Sequence, residues 1–245
     1  MTQQAMPQGA AQATRNLDPR EAGKFDALAA RWWDPDGDSR PLHDINGPRV
    51  AYIEARAELA GRRVLDVGCG GGILCESLAE RGAQVTGIDV ADKPLGVARL
   101  HAAEQGLEID YRKAIAEELA VTEGESFDLV CCLEMLEHVP EPELTIAACA
   151  ALCKPGGQLF FSTINRSPLA WATAIVGAEY ILRLLPRGTH RYDRLIRPQE
   201  LASACRKAGL DVHDISGLAY NPFSRTVRIG GRPAINYLVH AARPA

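Results

Sequence analysis

The residues best suited to chemistry are Glu134, Glu137 and His138, within the run Glu134-Met135-Leu136-Glu137-His138. On a helical turn, positions i, i+3 and i+4 share one face, so this spacing predicts two carboxylates and an imidazole converging. Such a set suits a divalent cation, its oxygens favouring Mg²⁺ or Mn²⁺ and the imidazole shifting the preference toward Zn²⁺. The same spacing equally describes a solvated helix turn, with His138 as a cap or a lone general base. A second stretch, 64–75, is an apolar run through Asp66 that breaks at Gly68, Gly70, Gly71 and Gly72 and then resumes with helical spacing. It predicts a strand, a tight turn and a helix start, where glycine lets backbone approach a ligand and unpaired N–H groups face it. The dinucleotide fingerprint places its third glycine three residues after the second; Ile73 stands there instead. Residues 83–90 then predict a second strand ending in Asp89, whose carboxylate can accept hydrogen bonds from both hydroxyls of a ribose.

The elements that must position these residues follow from the pattern along the chain. Residues 1–16 lack periodicity and predict a disordered leader, and 18–33 predict a helix with Phe25, Leu28, Ala29 and Trp32 on one side. Trp32 and Trp33 are expected to pack that helix onto the domain, or one of them to line a substrate entrance. A loop is predicted at 40–49, helices at 50–60, 94–105, 142–153 and 198–209, and strands at 109–112, 127–133, 158–163, 210–215 and 235–241. Glu117 and Glu118 read as a solvated helix start. Tyr220, Asn221 and Phe223, in a hairpin-like region, are candidates for a substrate wall, and His43 and His190 are spare candidates for a base. The insertion 165–198 carries six arginines against Glu179 and Asp193, a local charge of +4, together with Leu169, Trp171 and further apolar residues. This mixture predicts a helical lid that also contacts an anionic membrane surface.

Composition bounds the rest. A chain of 245 residues suits one doubly wound α/β domain. Its net charge of −4 argues against a nucleic-acid partner. Seven cysteines without metal-type spacing suit small core residues in a reducing compartment. With no apolar run of spanning length and no secretory pattern, a cytoplasmic protein is expected.

The glycine turn with Asp66 and Asp89 resembles the first motifs of class I S-adenosylmethionine-dependent methyltransferases, and the unit 154–163 is similar to their fifth strand. The segments Arg31-Trp32-Trp33-Asp34, Pro41-Leu42-His43, 64–74, 132–139 and 176–182 closely resemble the ubiquinone biosynthesis O-methyltransferase family, over nearly the whole chain after the leader. The resemblance implies a mostly parallel, seven-stranded, Rossmann-like sheet with an N-terminal helical extension and the 165–198 insertion. It implies cofactor binding by Arg49, Gly68, Gly70, Asp89 and Leu133, Arg49 holding the cofactor's carboxylate. It implies a divalent cation at Glu134, Glu137 and His138, methylation of a polyprenylated catechol, and membrane association through the insertion. A phenol has a pKa of about 10, so a base such as His138, or a coordinated cation, would have to prepare the attacking oxygen. The alternatives are methylation of another small phenol, or a cofactor-binding scaffold in a membrane-associated biosynthetic complex.

Overall fold

The structure is a computed structural model that describes residues 16–173 and 191–245. Within them the chain alternates helix and strand. In order, the elements are α1 (Pro19–Leu28), α2 (Arg40–Glu54), β1 (Arg63–Val67), α3 (Ile73–Ala79), β2 (Gln84–Asp89), α4 (Asp92–Glu104), β3 (Asp110–Lys113) and α5 (Ala116–Thr122). There follow β4 (Phe127–Leu133), α6 (Pro142–Leu152), β5 (Cys153–Ile164), α7 (Pro198–Lys207), β6 (Asp211–Asn221), β7 (Thr226–Ile229) and β8 (Asn236–Ala242), with short 3₁₀ turns at Ala29–Arg31, Leu136–His138 and Tyr192–Arg194.

The strands form one sheet in the order β3-β2-β1-β4-β5-β8-β6-β7. The pairs from β3 to β5 are parallel, and β8 runs antiparallel to both β5 and β6. The doubly wound, mostly parallel sheet is therefore as expected, with the last strand inserted antiparallel between β5 and β6. One detail differs: the described residues form eight strands rather than seven. The eighth arises because β6 runs on to Asn221 and turns back into β7, pairing Leu218 with Ile229 and Asn221 with Thr226.

The centre of the sheet is buried on both faces, which is why β4 reads as an unbroken apolar run. Alternate residues serve opposite layers: Leu129, Cys131 and Leu133 pack with α2, α3 and α4, and Val130 and Cys132 with α6 and α7. The described cysteines are all free and buried.

The largest departure from the sequence reading is α2. The loop expected at 40–49 is helix from Arg40 onward, with Pro41 in its first turn and Pro48 inside it. Gly47 and Pro48 read as breakers because one costs backbone entropy and the other a hydrogen bond. Burial decides otherwise: Ile45, Asn46, Arg49, Val50, Tyr52 and Ile53 form one buried stripe at helical spacing. Asn16, expected to be disordered, is 2% exposed and hydrogen-bonded into the domain.

Candidate active site

The order of the sheet reverses between β1 and β4, and in open α/β sheets the crevice at such a point binds ligands. A cavity enclosing about 1080 Å³, open mouth included, lies there, lined by the ends of β1, β2 and β4 and by the N-terminal segment. All five expected cofactor residues, Arg49, Gly68, Gly70, Asp89 and Leu133, line it.

The turn after β1 is held from β2. Gly68 and Cys69 N–H both donate to Ile88 O, and Gly70 N–H donates to Asp89 Oδ2 at 2.9 Å. Asp89 Oδ1 accepts from Ala91 N–H at 2.8 Å. Two of the roughly four lone-pair positions of a carboxylate are thus used to fix Asp89, and burial pushes its pKa up. Gly70 has φ +53°, and a Cβ there would sit 2.3 Å from Trp32 Cζ2, so both conformation and space require glycine.

Arg49 reaches the cavity from α2 and is 4% exposed, with its Nε buried and lacking a hydrogen-bond partner. Burial holds its pKa below the usual arginine range, opposed by the charges of Glu134 and Asp66. Asp66 is buried beside it and accepts from Cys75 Sγ at 3.2 Å; burial pushes its carboxyl up to about 6. A desolvated guanidinium with an unused donor calls for an anion.

Glu134, Glu137 and His138 do not share a helical face. The chain leaves β4 through Glu134 in the left-handed region, φ +54°, and then makes a 3₁₀ turn, so the i, i+3, i+4 rule does not apply. Glu134 accepts from Ser162 Oγ at 2.7 Å and Asn236 Nδ2 at 3.1 Å. Glu137 is buried, its Oε2 accepting from Thr163 Oγ1 at 2.8 Å while its Oε1 has no hydrogen-bond partner. Glu134 and His138 line the cavity, Glu137 does not, and among the described residues no group of three such side chains could hold a metal ion. As placed, the three do not fit a common ligand set.

His138 instead pairs with a residue 117 positions away: its Nδ1 lies 2.9 Å from Glu21 Oε2, and Phe25 meets the ring edge-on at 5.0 Å. Burial alone would lower the imidazole pKa, but the Glu21 hydrogen bond and the charge of Glu137 outweigh it and the net shift is upward. The partner responds oppositely, the hydrogen bond to His138 holding the Glu21 carboxyl down at about 2.

Glu21 belongs to a strap over the cavity of which the sequence pattern pointed to the site only through Trp32 and Trp33. Asn16 Nδ2 donates to Glu117 Oε1 and to Thr145 Oγ1, and its Oδ1 accepts from Glu141 N–H. Glu117, expected to be solvated, is therefore an internal acceptor. Trp32 is 5% exposed, lies over Gly70 and Gly71, and lines the cavity, so packing and lining coincide in one residue. Trp33 donates from Nε1 to Gly71 O at 2.9 Å and stacks on His101 at 3.6 Å. His43 Nε2 bonds Trp32 O at 2.9 Å and holds the strap rather than facing the cavity. Tyr220, Asn221 and Phe223 form no wall of this cavity: Tyr220 OH donates to Asp44, Asn221 caps its own turn, and Phe223 is 82% exposed. His190 lies outside the described residues. The signal for the strap was the Asp18-Pro19 helix start, Asp18 capping Arg20 N–H, but a cap says nothing about distant partners.

Comparison with known proteins agrees with this geometry. A family model described as a methyltransferase domain matches residues 42–215. The chain is 57% identical over 228 residues to a ubiquinone biosynthesis O-methyltransferase of Stutzerimonas stutzeri, covering 93% of this chain and 98% of that one. It is 55% identical over 229 residues to the protein of the same name from Saccharophagus degradans, covering 93% and 97%. Among solved structures, magnesium protoporphyrin IX methyltransferase from Synechocystis, crystallised with bound SAH, superposes with a TM-score of 0.62 at 22% identity, covering 83% of this chain and 84% of that one. On its sequence, fold and cofactor crevice alike, the chain belongs to the ubiquinone biosynthesis O-methyltransferase family, within the Rossmann-like class I methyltransferases.

Proposed function

We propose that the protein transfers a methyl group from S-adenosylmethionine to a catechol hydroxyl of a polyprenylated ubiquinone precursor. The observation that carries this reading is the buried Arg49, with an unused Nε donor, in one cavity with the glycine turn, Asp89 and the His138–Glu21 pair. The residues fit the cofactor. Arg49 pairs its guanidinium with the amino-acid carboxylate, the acceptor positions left on Asp89 take the two ribose hydroxyls, the Gly68–Gly70 turn lets the backbone approach, and Leu133 packs against the apolar part. When bound, the cofactor supplies a methyl group on a sulfonium, ready for displacement by a nucleophile.

The protein's remaining task is to prepare the phenolic oxygen. With Nδ1–H donated to Glu21, the neutral imidazole of His138 has its lone pair on Nε2, which takes the phenolic proton. Glu21 stabilises the imidazolium that results, and the strap that brings Glu21 into place also lines the cavity.

A divalent cation is a separate part of the proposal. Glu134, Glu137 and His138 do not converge, so no step above runs through a cation; the buried, unpartnered Oε1 of Glu137 is what supports one. Peripheral contact with an anionic membrane surface through 165–198 is also proposed. Leu169 and Trp171, near the start of that segment, are about half exposed, and five of its six arginines follow them. Residues 174–190 lie outside the described ones, and no helix among the described residues is long and apolar enough to cross a membrane.

The test is methyl transfer from labelled S-adenosylmethionine to a short-chain demethylubiquinol analogue, with and without chelator. Turnover is expected; a fall on chelation that Mg²⁺ or Mn²⁺ reverses supports the cation. Full activity in chelator retires the cation and leaves the His138 route, and no turnover of any catechol retires the reaction.

A further inference from the structure

A second cavity, enclosing about 1070 Å³ with its open mouth, lies on the far side of the 136–146 segment. Its floor is apolar, built from Leu136, Ile146, Leu195, Ile196 and Leu201, each 8% exposed or less. Its rim is charged, Arg166 and Glu200 forming an ion pair across it. Val139 lines both this groove and the reaction cavity. A polar contact also joins the two. Arg194, in the groove, donates to Val139 O at 2.8 Å and lies 3.7 Å from the carboxylate of Asp18, which lines the reaction cavity. Both members of that ion pair are about a quarter exposed, and such a pair contributes little to stability, so separating it is cheap.

We propose that this groove receives the polyisoprenoid tail of the substrate, threaded past Val139 from a ring held in the reaction cavity. The proposal rests on the reaction assigned above. A tail too long for the cavity under the strap must leave it, and its exit has to be apolar, because each buried Å² of hydrocarbon is worth about 25 cal/mol. The groove meets that need next to the cavity. Two of its lining residues, Arg166 and Asp193, belong to the inserted segment and bracket the exposed Leu169 and Trp171 in sequence, which links the groove to the residues proposed to meet the membrane.

The tail should act as a separable binding element. Leu144→Arg places a charge in the groove, and Ala204→Phe fills its floor; neither residue lines the reaction cavity. Steady-state kinetics in detergent would compare a demethylubiquinol head group bearing methyl with one bearing farnesyl at the tail position. The wild type is expected to favour the farnesyl substrate about tenfold in kcat/KM, mainly through KM, corresponding to about 1.4 kcal/mol. Both variants should lose that preference while keeping the tail-free kcat/KM within about twofold. An unchanged preference in the variants, or a parallel loss on both substrates, overturns the groove while leaving the reaction intact. If the wild type turns over neither substrate, the assigned reaction fails instead, and a diazirine-bearing farnesyl probe reads the groove directly. Labelling within 136–146 and 194–204, abolished by Leu144→Arg, supports it; labelling elsewhere overturns it.

Discussion

At the scale of single residues, the site is a set of charges whose burial is compensated unevenly. Arg49 is the clearest: it is buried near Asp66 and Glu134, yet its Nε is left without a partner. Hydrogen bonds to charged groups are worth about 1.5–3 kcal/mol, so Arg49→Ala should weaken binding of S-adenosylhomocysteine by about 10- to 100-fold in calorimetry. Arg49→Lys should recover only part of this, because an ammonium lacks the two-pronged geometry. The His138–Glu21 pair gives a pH dependence with a defined sign. A base must be neutral to act, and Glu21 raises the His138 pKa, so kcat/KM should rise with pH through a pKa above the ordinary histidine value. Glu21→Gln removes the charge while its amide oxygen can still accept from Nδ1–H, and the acid limb should move to lower pH; a profile that does not move would show that another group titrates.

At the scale of elements, one turn and one strap define the cavity, each stabilised by the other. Among the strap's anchors are Asn16 at its start, Trp33 on His101, and Arg225 at the tip of the β6–β7 hairpin, which donates to Asp36, Pro35 O and Asp44. Between these anchors Trp32 covers the glycine turn. A Cβ on Gly71 would lie 2.3 Å from Trp32 Cδ1, so Gly71→Ala must displace the indole. Overpacking of this kind costs about 1–3 kcal/mol. The expected outcome is a lower Tm, altered tryptophan emission and about tenfold weaker cofactor binding, all read on one purified variant; retention of wild-type emission and affinity would mean that Trp32 does not roof the site. The helix that carries Arg49 shows why elements are hard to read locally. Gly47 and Pro48 are unfavourable in a helix by propensity, and the buried stripe from Ile45 to Ile53 outweighs them.

At the scale of the whole molecule, residue 16 is tied to residues more than a hundred positions away. Replacing Asn16 with alanine strips the Glu141 N–H of its side-chain acceptor and takes one donor each from Glu117 and Thr145, which keep the bond to each other. Leaving buried polar groups unsatisfied costs about 1–3 kcal/mol, and at roughly 2–4 °C per kcal/mol for a chain of this size, scanning calorimetry should find Tm lower by several degrees. The same long-range ties divide what the sequence by itself determined from what only the tertiary structure decided. The alternation of strands and helices, the glycine turn, Asp89 and the family were legible in sequence, because a parallel core writes continuous apolar runs and a cofactor turn needs glycine at fixed spacing. Position 49 became meaningful only through resemblance, since nothing local distinguishes it from a solvated arginine. The Glu134, Glu137 and His138 spacing was legible but misleading: one left-handed residue at the end of β4 replaced the helical face on which convergence depended. The pairing of His138 with Glu21 and the internal role of Glu117 were decided by folding alone. Each joins residues far apart in the chain, and periodicity, capping and spacing act only over a few turns.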